Sequence, residues 1–148
     1  MKKRPPDKTP PVSAEDYGRA LRGLGFNLLV TDVPRAVAFA TQVLGATSFY
    51  DDEDFAALRW NGQDFMFHAD HAYRGHPLSG IVAGLEARGA GIELRLYGCD
   101  PDVAEARARE LGFTVLAGSV DKPHGLRECV ILDDDGYAWV PSVALRRP

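Results

Sequence analysis

The chain reads as one half-sized unit written twice, and no other feature limits its fold as much. In the first copy Gly25 to Val30 is extended, and Asp32-Val33-Pro34 opens a helix that stops at Leu44-Gly45. Strands follow at Thr47 to Asp51, Phe55 to Trp60 and Gln63 to His68. The second copy repeats the order: a strand at Ile92 to Tyr97, then a helix opened by Asp100-Pro101 and closed by Leu111-Gly112. Its strands follow at Phe113 to Ala117, Arg127 to Leu132 and Tyr137 to Val143. Each helix starts on an Asp cap with proline in its first turn and ends in Leu-Gly. Matching caps within matching strand order mark an internal duplication. It predicts five parts: an irregular tail over 1–12, a short helix over 13–23, module 1 over 24–70, a connector over 71–90 and module 2 over 91–145.

Charge and composition exclude several classes. The net charge is −4, but the first ten residues hold Lys2, Lys3, Arg4 and Lys8 against Asp7, so the body carries −7. An acidic body offers no basic face to nucleic acid. No apolar run is long enough to span a membrane. The tail, with prolines at 5, 6, 10 and 11, lacks apolar periodicity and is read as disordered or extended, with no apolar stretch of the kind a signal peptide needs. Cys99 and Cys129 show no metal-ligand spacing, which suits a reduced, cytoplasmic protein. Ser13, with Asp16 three residues on, opens the short helix, whose Tyr17, Ala20 and Leu21 form an apolar stripe. Ile81 to Arg88 is read as a helical turn in the connector.

Alternation along the strands predicts which side chains face a ligand. Asn61-Gly62 is a two-residue type I′ turn signal, so Trp60 pairs with Gln63, Ala57 with Met66 and Phe55 with His68. Trp60, Leu58, Phe65 and Phe67 then pack beneath a helix, and Phe55, Ala57, Arg59, Asp64, Met66 and His68 face the open side. In the first strand Asn27 and Leu29 face that side; in the fifth, Glu93, Arg95 and Tyr97 do. A two- or four-residue loop within Asp133 to Gly136 sets Arg127, Cys129 and Ile131 on the face of Ala138, Val140 and Ser142. A half-apolar face with a few polar groups is the usual make-up of a small-molecule pocket.

The doubled module resembles the vicinal oxygen chelate superfamily, which includes glyoxalase I, extradiol dioxygenases and bleomycin-resistance proteins. The matching strings are Val30-Thr31-Asp32 with Phe39 and Val43-Leu44-Gly45, then Asp121-Lys122-Pro123-His124-Gly125-Leu126-Arg127-Glu128, then Asp133-Asp134-Asp135-Gly136-Tyr137. The bleomycin-resistance branch is the most similar, although His124 stands where that branch has tryptophan and Asp134 where it has proline. The resemblance implies an α+β fold: two βαβββ modules forming a curved mixed sheet around a shared cavity, in a homodimer. It also implies four metal-ligand positions. Two lie seven residues before the Asp that opens each helix, and two lie four residues after the glycine of each hairpin turn. Here these are Gly25, Glu93, Met66 and Val140. Three of the four cannot ligate a hard divalent ion.

The remaining candidates divide between chemistry and structure. Glu93 is read as an ion-pair partner for Arg95 or Arg127, or as an acceptor for an amine. His68, Asp70, His71 and His76 have metal-like composition but lie on a strand end and a connector, so their convergence is not encoded. His124 is read as a rim residue, Cys129 as a core thiol, and Asp133-Asp134-Asp135-Gly136 as a hairpin turn rather than a calcium loop. The leading expectation is a metal-independent protein that sequesters a small cationic or aromatic molecule without a cofactor. Its candidate ligand-binding residues are Asn27, Phe55, Met66, His68, Glu93, Arg95, Tyr97, His124, Arg127 and Val140; no catalytic residue is assigned. The alternatives are a metal-dependent enzyme with a relocated site using Glu93 and His68, and a non-catalytic interaction module.

Overall fold

The computed structural model describes residues 1–146. The element order is α1 (Ala14–Ala20), β1 (Asn27–Val30), α2 (Val33–Ala38), β2 (Thr47–Asp51), β3 (Phe55–Trp60), β4 (Gln63–Ala69), α3 (Ser79–Val82), β5 (Glu93–Tyr97), α4 (Pro101–Glu110), β6 (Thr114–Asp121), β7 (Leu126–Leu132) and β8 (Ala138–Ala144). The chain divides into two compact units. Unit 1 holds Met1–Thr41 and Ala46–Ala83; unit 2 holds Gln42–Gly45 and the chain from Gly84 on.

Each unit carries one four-stranded mixed sheet. The orders are β1-β4-β3-β2 and β5-β8-β7-β6, so the duplication read from the sequence is a duplication of topology. In both, the first strand joins the last in parallel and the other pairs are antiparallel. The result is an α+β architecture of two βαβββ modules. The cap signals act as expected. Asp32 accepts from the Arg35 N–H, and Asp100 accepts from the N–H groups of Asp102 and Val103. Helix α2 widens into a π turn over Phe39–Val43, which nothing in those residues signals, and Phe39, Ala40, Val43 and Leu44 all lie in the core. Helix α3 is a single turn at Ser79–Val82, which overlaps the segment read as helical, Ile81 to Arg88, only at Ile81 and Val82. Among the described residues no helix is long and apolar enough to cross a membrane.

The β3–β4 register is the one that the turn signal predicts. Asn61 and Gly62 take positive φ values of 46° and 79°, and Trp60 faces Gln63, Ala57 faces Met66 and Phe55 faces His68. Leu58, Phe65 and Phe67 are buried on the helix side.

The β7–β8 hairpin departs from expectation. Leu132 pairs with Ala138 and Glu128 with Ser142, leaving five loop residues, an odd number. The reason is Asp133. Its Oδ1 accepts from the N–H groups of Asp135 and Tyr137, and its Oδ2 from the Trp139 indole at 2.8 Å. Holding Tyr137 inside the loop delays the ladder by one residue and reverses the parity of β7. Arg127, Cys129 and Ile131 therefore face helix α4, and Glu128 takes the open face beside Ser142.

Candidate functional site

On the open face of unit 1 the register sets Asn27 beside Met66 and Leu29 beside His68, with Phe55 opposite His68. His68 Nδ1 lies 2.6 Å from Asn27 Oδ1, and Asn27 Nδ2 donates to Tyr73 Oη at 3.3 Å. The Phe55 and Tyr73 rings each lie 4.6 Å from the imidazole, and His76 stacks on Tyr73 at 4.1 Å. Burial, reinforced by His76 and opposed by Asp52, lowers the His68 pKa below its ordinary value, so the ring is neutral at pH 7.

Above this face lies helix α1. Ser13 caps it by accepting from the Asp16 N–H, and Tyr17 packs on Phe49 with ring centroids 5.6 Å apart. Burial first, then the neighbouring Asp64 carboxylate, push the Tyr17 hydroxyl up to about 12, so it stays a neutral phenol. Between α1 and the sheet is a cavity of about 350 Å³ whose walls include Pro11, Tyr17, Phe55, Ala57, Met66 and His68. A second hollow of about 840 Å³ lies at the C-terminal end of α1, where Arg59 forms a two-pronged bond with Asp64.

The tail over 1–12 has no helix or strand, yet it has partners in unit 1. The Lys3 and Arg4 N–H groups donate to the two oxygens of Asp54, at 2.7 and 3.1 Å, and His71 Nε2 lies 2.7 Å from Asp54 Oδ1. Burial opposes ionisation of Asp54, but these bonds outweigh it and lower its pKa. Lys8 reaches Asp51 at 3.3 Å, and the chain continues to Pro10 and Pro11 at the cavity wall.

Unit 2 presents a different open face. Arg95 Nη1 bonds Glu93 Oε2 at 2.7 Å and Nη2 bonds Glu128, while its guanidinium lies over the Tyr97 ring at 5.7 Å. His124 Nε2 stands 3.4 Å from Glu128. Glu93 and Tyr97 are more than half exposed, whereas Val140 is fully buried and offers a ligand no surface.

Of the residues expected to bind a ligand, Phe55, Met66 and His68 line the unit 1 cavity, and Asn27 holds His68. Glu93, Arg95 and His124 join one charge network, with Tyr97 under its guanidinium. Arg127 is corrected: it bonds Asp102 of α4 through Nε and Nη2, each at 2.7 Å, and Asp121 through Nη1, on the opposite face of the sheet. Cys129 donates to the Pro101 carbonyl from the core, and burial pushes its thiol up to about 11. Strand parity and spacing do not point to Glu128, Tyr73 or Asp54. The Arg-Glu string contains Glu128, but even-loop parity turns it to the helix side, and the observed register puts it on the open face.

The divalent ion that the resemblance implies does not fit these residues. In unit 1, Gly25 and Met66 present no oxygen or imidazole donor. In unit 2, Val140 is buried hydrocarbon and Glu93 already pairs with Arg95. His71 turns to Asp54 and His76 to Tyr73, so the connector histidines do not converge. Among the described residues no three His, Cys, Asp or Glu side chains gather where they could hold a metal.

Comparison with solved structures now adds to this geometry. A glyoxalase/bleomycin resistance protein/dioxygenase from Nocardioides superposes with TM-score 0.61 at 20% identity, covering 90% of this chain and 93% of its own. A family enzyme of the same description from Burkholderia phytofirmans PsJN gives 0.65 at 19%, covering 82% and 97%. The chain has the vicinal oxygen chelate fold. TioX from Micromonospora sp. ML1 shares that fold, with TM-score 0.58 at 21% identity over 86% of this chain and 99% of its own. No protein-family model and no curated protein matches the sequence. The vicinal oxygen chelate fold accounts for the paired modules, and the chemistry rests on the side chains above.

Proposed function

We propose that this protein binds a small, neutral, largely aromatic molecule in the unit 1 cavity and that it does so without a metal ion. The observation that carries the reading is the cavity between α1 and the sheet, with its apolar walls and one neutral imidazole. About 350 Å³ lies at the small end of the range for ligand pockets, and a few polar groups in an apolar lining are typical of them. The four inherited coordination positions hold one carboxylate, which is already paired, and this supports binding rather than metal-assisted turnover. None of the cavity's lining residues is acidic, so a cation entering it would have only aromatic faces to offset its lost hydration.

A fluorescence titration with N-phenyl-1-naphthylamine, an apolar uncharged probe, tests this. One probe should bind per chain, and Ala57→Leu, which fills the cavity floor, should weaken binding by about tenfold. The same titration after treatment with a chelator should be unchanged. Absence of probe binding would overturn the reading, as would a requirement for one tightly held zinc, iron(II), manganese or nickel ion per chain.

A further inference from the structure

His68 lines the unit 1 cavity from the sheet side, and the neighbouring strand sets the character of its second ring nitrogen, Nε2. Asn27 lies beside Met66 in the register and reaches diagonally to the imidazole two residues along β4. Its amide contacts the ring at 2.6 Å on one side and Tyr73 Oη at 3.3 Å on the other. At 2.6 Å the first contact is short even for N–H···O and closer than two nitrogens sharing a proton approach. Oδ1 therefore faces the ring and Nδ2 faces Tyr73. A carbonyl oxygen only accepts, so the His68 proton resides on Nδ1. A neutral imidazole has one such proton, and Nε2 is left as a bare acceptor. Among the described residues nothing bonds Nε2, and the atom is not sealed from solvent.

Resting on the reading of this cavity as a small-molecule site, we propose that it selects hydroxylated aromatics, phenols above all, by accepting their O–H at His68 Nε2. The other ligand classes meet the wrong groups. A carboxylate or phosphate needs donors, but Nε2 carries no proton and Nδ1 is committed to Asn27. An ammonium needs a counter-charge, and no acidic residue lines the cavity. An aliphatic alcohol has the donor but forgoes contact with Tyr17, Phe55 and Met66. A phenol carries both the ring and a strong neutral donor. Asn27 acts as a positioning residue, because it fixes which ring nitrogen faces the guest. Burial supports this role by keeping the imidazole uncharged.

The test compares 2-naphthol with naphthalene and 2-methoxynaphthalene, which bracket its size and lack the donor, by fluorescence titration of the full chain. 2-Naphthol should bind about tenfold tighter than either. His68→Phe should remove that preference while keeping the affinity for naphthalene. Long-range nitrogen–proton NMR of the unliganded wild-type protein should show the His68 proton on Nδ1. Asn27→Ala should release the proton to both nitrogens and shrink the preference. Equal affinity for the three compounds would overturn the proposal and leave the cavity reading intact, as would an NMR proton on Nε2. If none of the three bound, the cavity reading itself would fall, and this proposal with it. The NMR measurement needs no variant, so a poorly folded His68→Phe cannot leave the question open.

Discussion

Units 1 and 2 place the same strands in the same order, yet their open faces carry opposite chemistry. In unit 1 Asn27 reaches diagonally to the neutral His68; in unit 2 Arg95, at the equivalent place on β5, reaches diagonally to the ionised Glu128. Phe55 sits opposite His68, and Glu128 sits opposite Ser142. The backbone thus repeats a geometry, a polar side chain on the first strand addressing a neighbour two strands away or nearer, and leaves the partners to decide its use. Where the partners are neutral and ringed by aromatics, a cavity lined by an imidazole results. Where they are charged, they satisfy each other. The duplication therefore specifies positions and not function, as expected of a fold that hosts several chemistries.

The two units also turn their last hairpins differently, by two residues at Asn61-Gly62 and by five around Asp133. The largest predicted effect tests that difference. Asp133→Ala removes the acceptor for two backbone N–H groups and the Trp139 indole, all buried, and should cost about 3 kcal/mol in urea denaturation. The wild type carries a pH signature of the same group. Burial raises the Asp133 pKa to about 6 despite its hydrogen bonds. A raised carboxylate value means that the folded state holds the proton more tightly than the unfolded chain. This contribution is present below the unfolded value of 3.8 and is lost as pH rises through 6. The substitution should erase that decline. A loss below about 1 kcal/mol would show that the loop length has another cause.

A smaller effect should follow from the charge network of unit 2. Arg95→Met leaves the Glu128 carboxylate, only 9% exposed, with His124 Nε2 at 3.4 Å as its remaining side-chain partner. Burial alone would raise the Glu128 pKa, but the bonds from Arg95 and then His124 lower it. The folded value is depressed, so the stabilisation is present at neutral pH and lost as pH falls through that value. The variant should lose about 2 kcal/mol at pH 7, a figure discounted for the partial exposure of Arg95. Thermal melts from pH 7 to pH 3 should show the gap to wild type closing on the acid side. A gap that is constant with pH would mean that packing of the arginine stem, rather than its charge, stabilises this face.

These two hairpins also show where the sequence was legible. Asn61-Gly62 names its turn because both residues take positive φ, and pairing counted outward from it placed Phe55, Met66 and His68 on one face. The caps at Asp32 and Asp100 were legible for a similar reason, since one side chain bonds a backbone two or three residues away. Asp133-Asp134-Asp135-Gly136 was legible as a turn but not in its length. That length depends on an indole six residues on, which no local rule reads. The Asn27–His68 contact joins residues 41 apart and required the parallel β1–β4 register. The tail over 1–12 was legible as irregular, but its bonds to Asp54, some fifty residues away, were not.

The smallest predicted effect decides between the two assignments of Arg127. Even-loop parity sets its guanidinium on the open face of unit 2 with Glu93 and Arg95, where removing it would disturb their charge network. The five-residue loop sets it against Asp102 and Asp121, both largely exposed carboxylates, in a solvated pairing of the kind that contributes little to stability. Arg127→Ala should therefore shift the urea midpoint too little to resolve and leave the pH dependence of melting unchanged, whereas Glu128→Gln, one residue along on the opposite face, should disturb that dependence. An altered pH dependence of melting from Arg127→Ala would set the guanidinium in the charge network of the open face, and would return β7 to the parity of an even-looped hairpin.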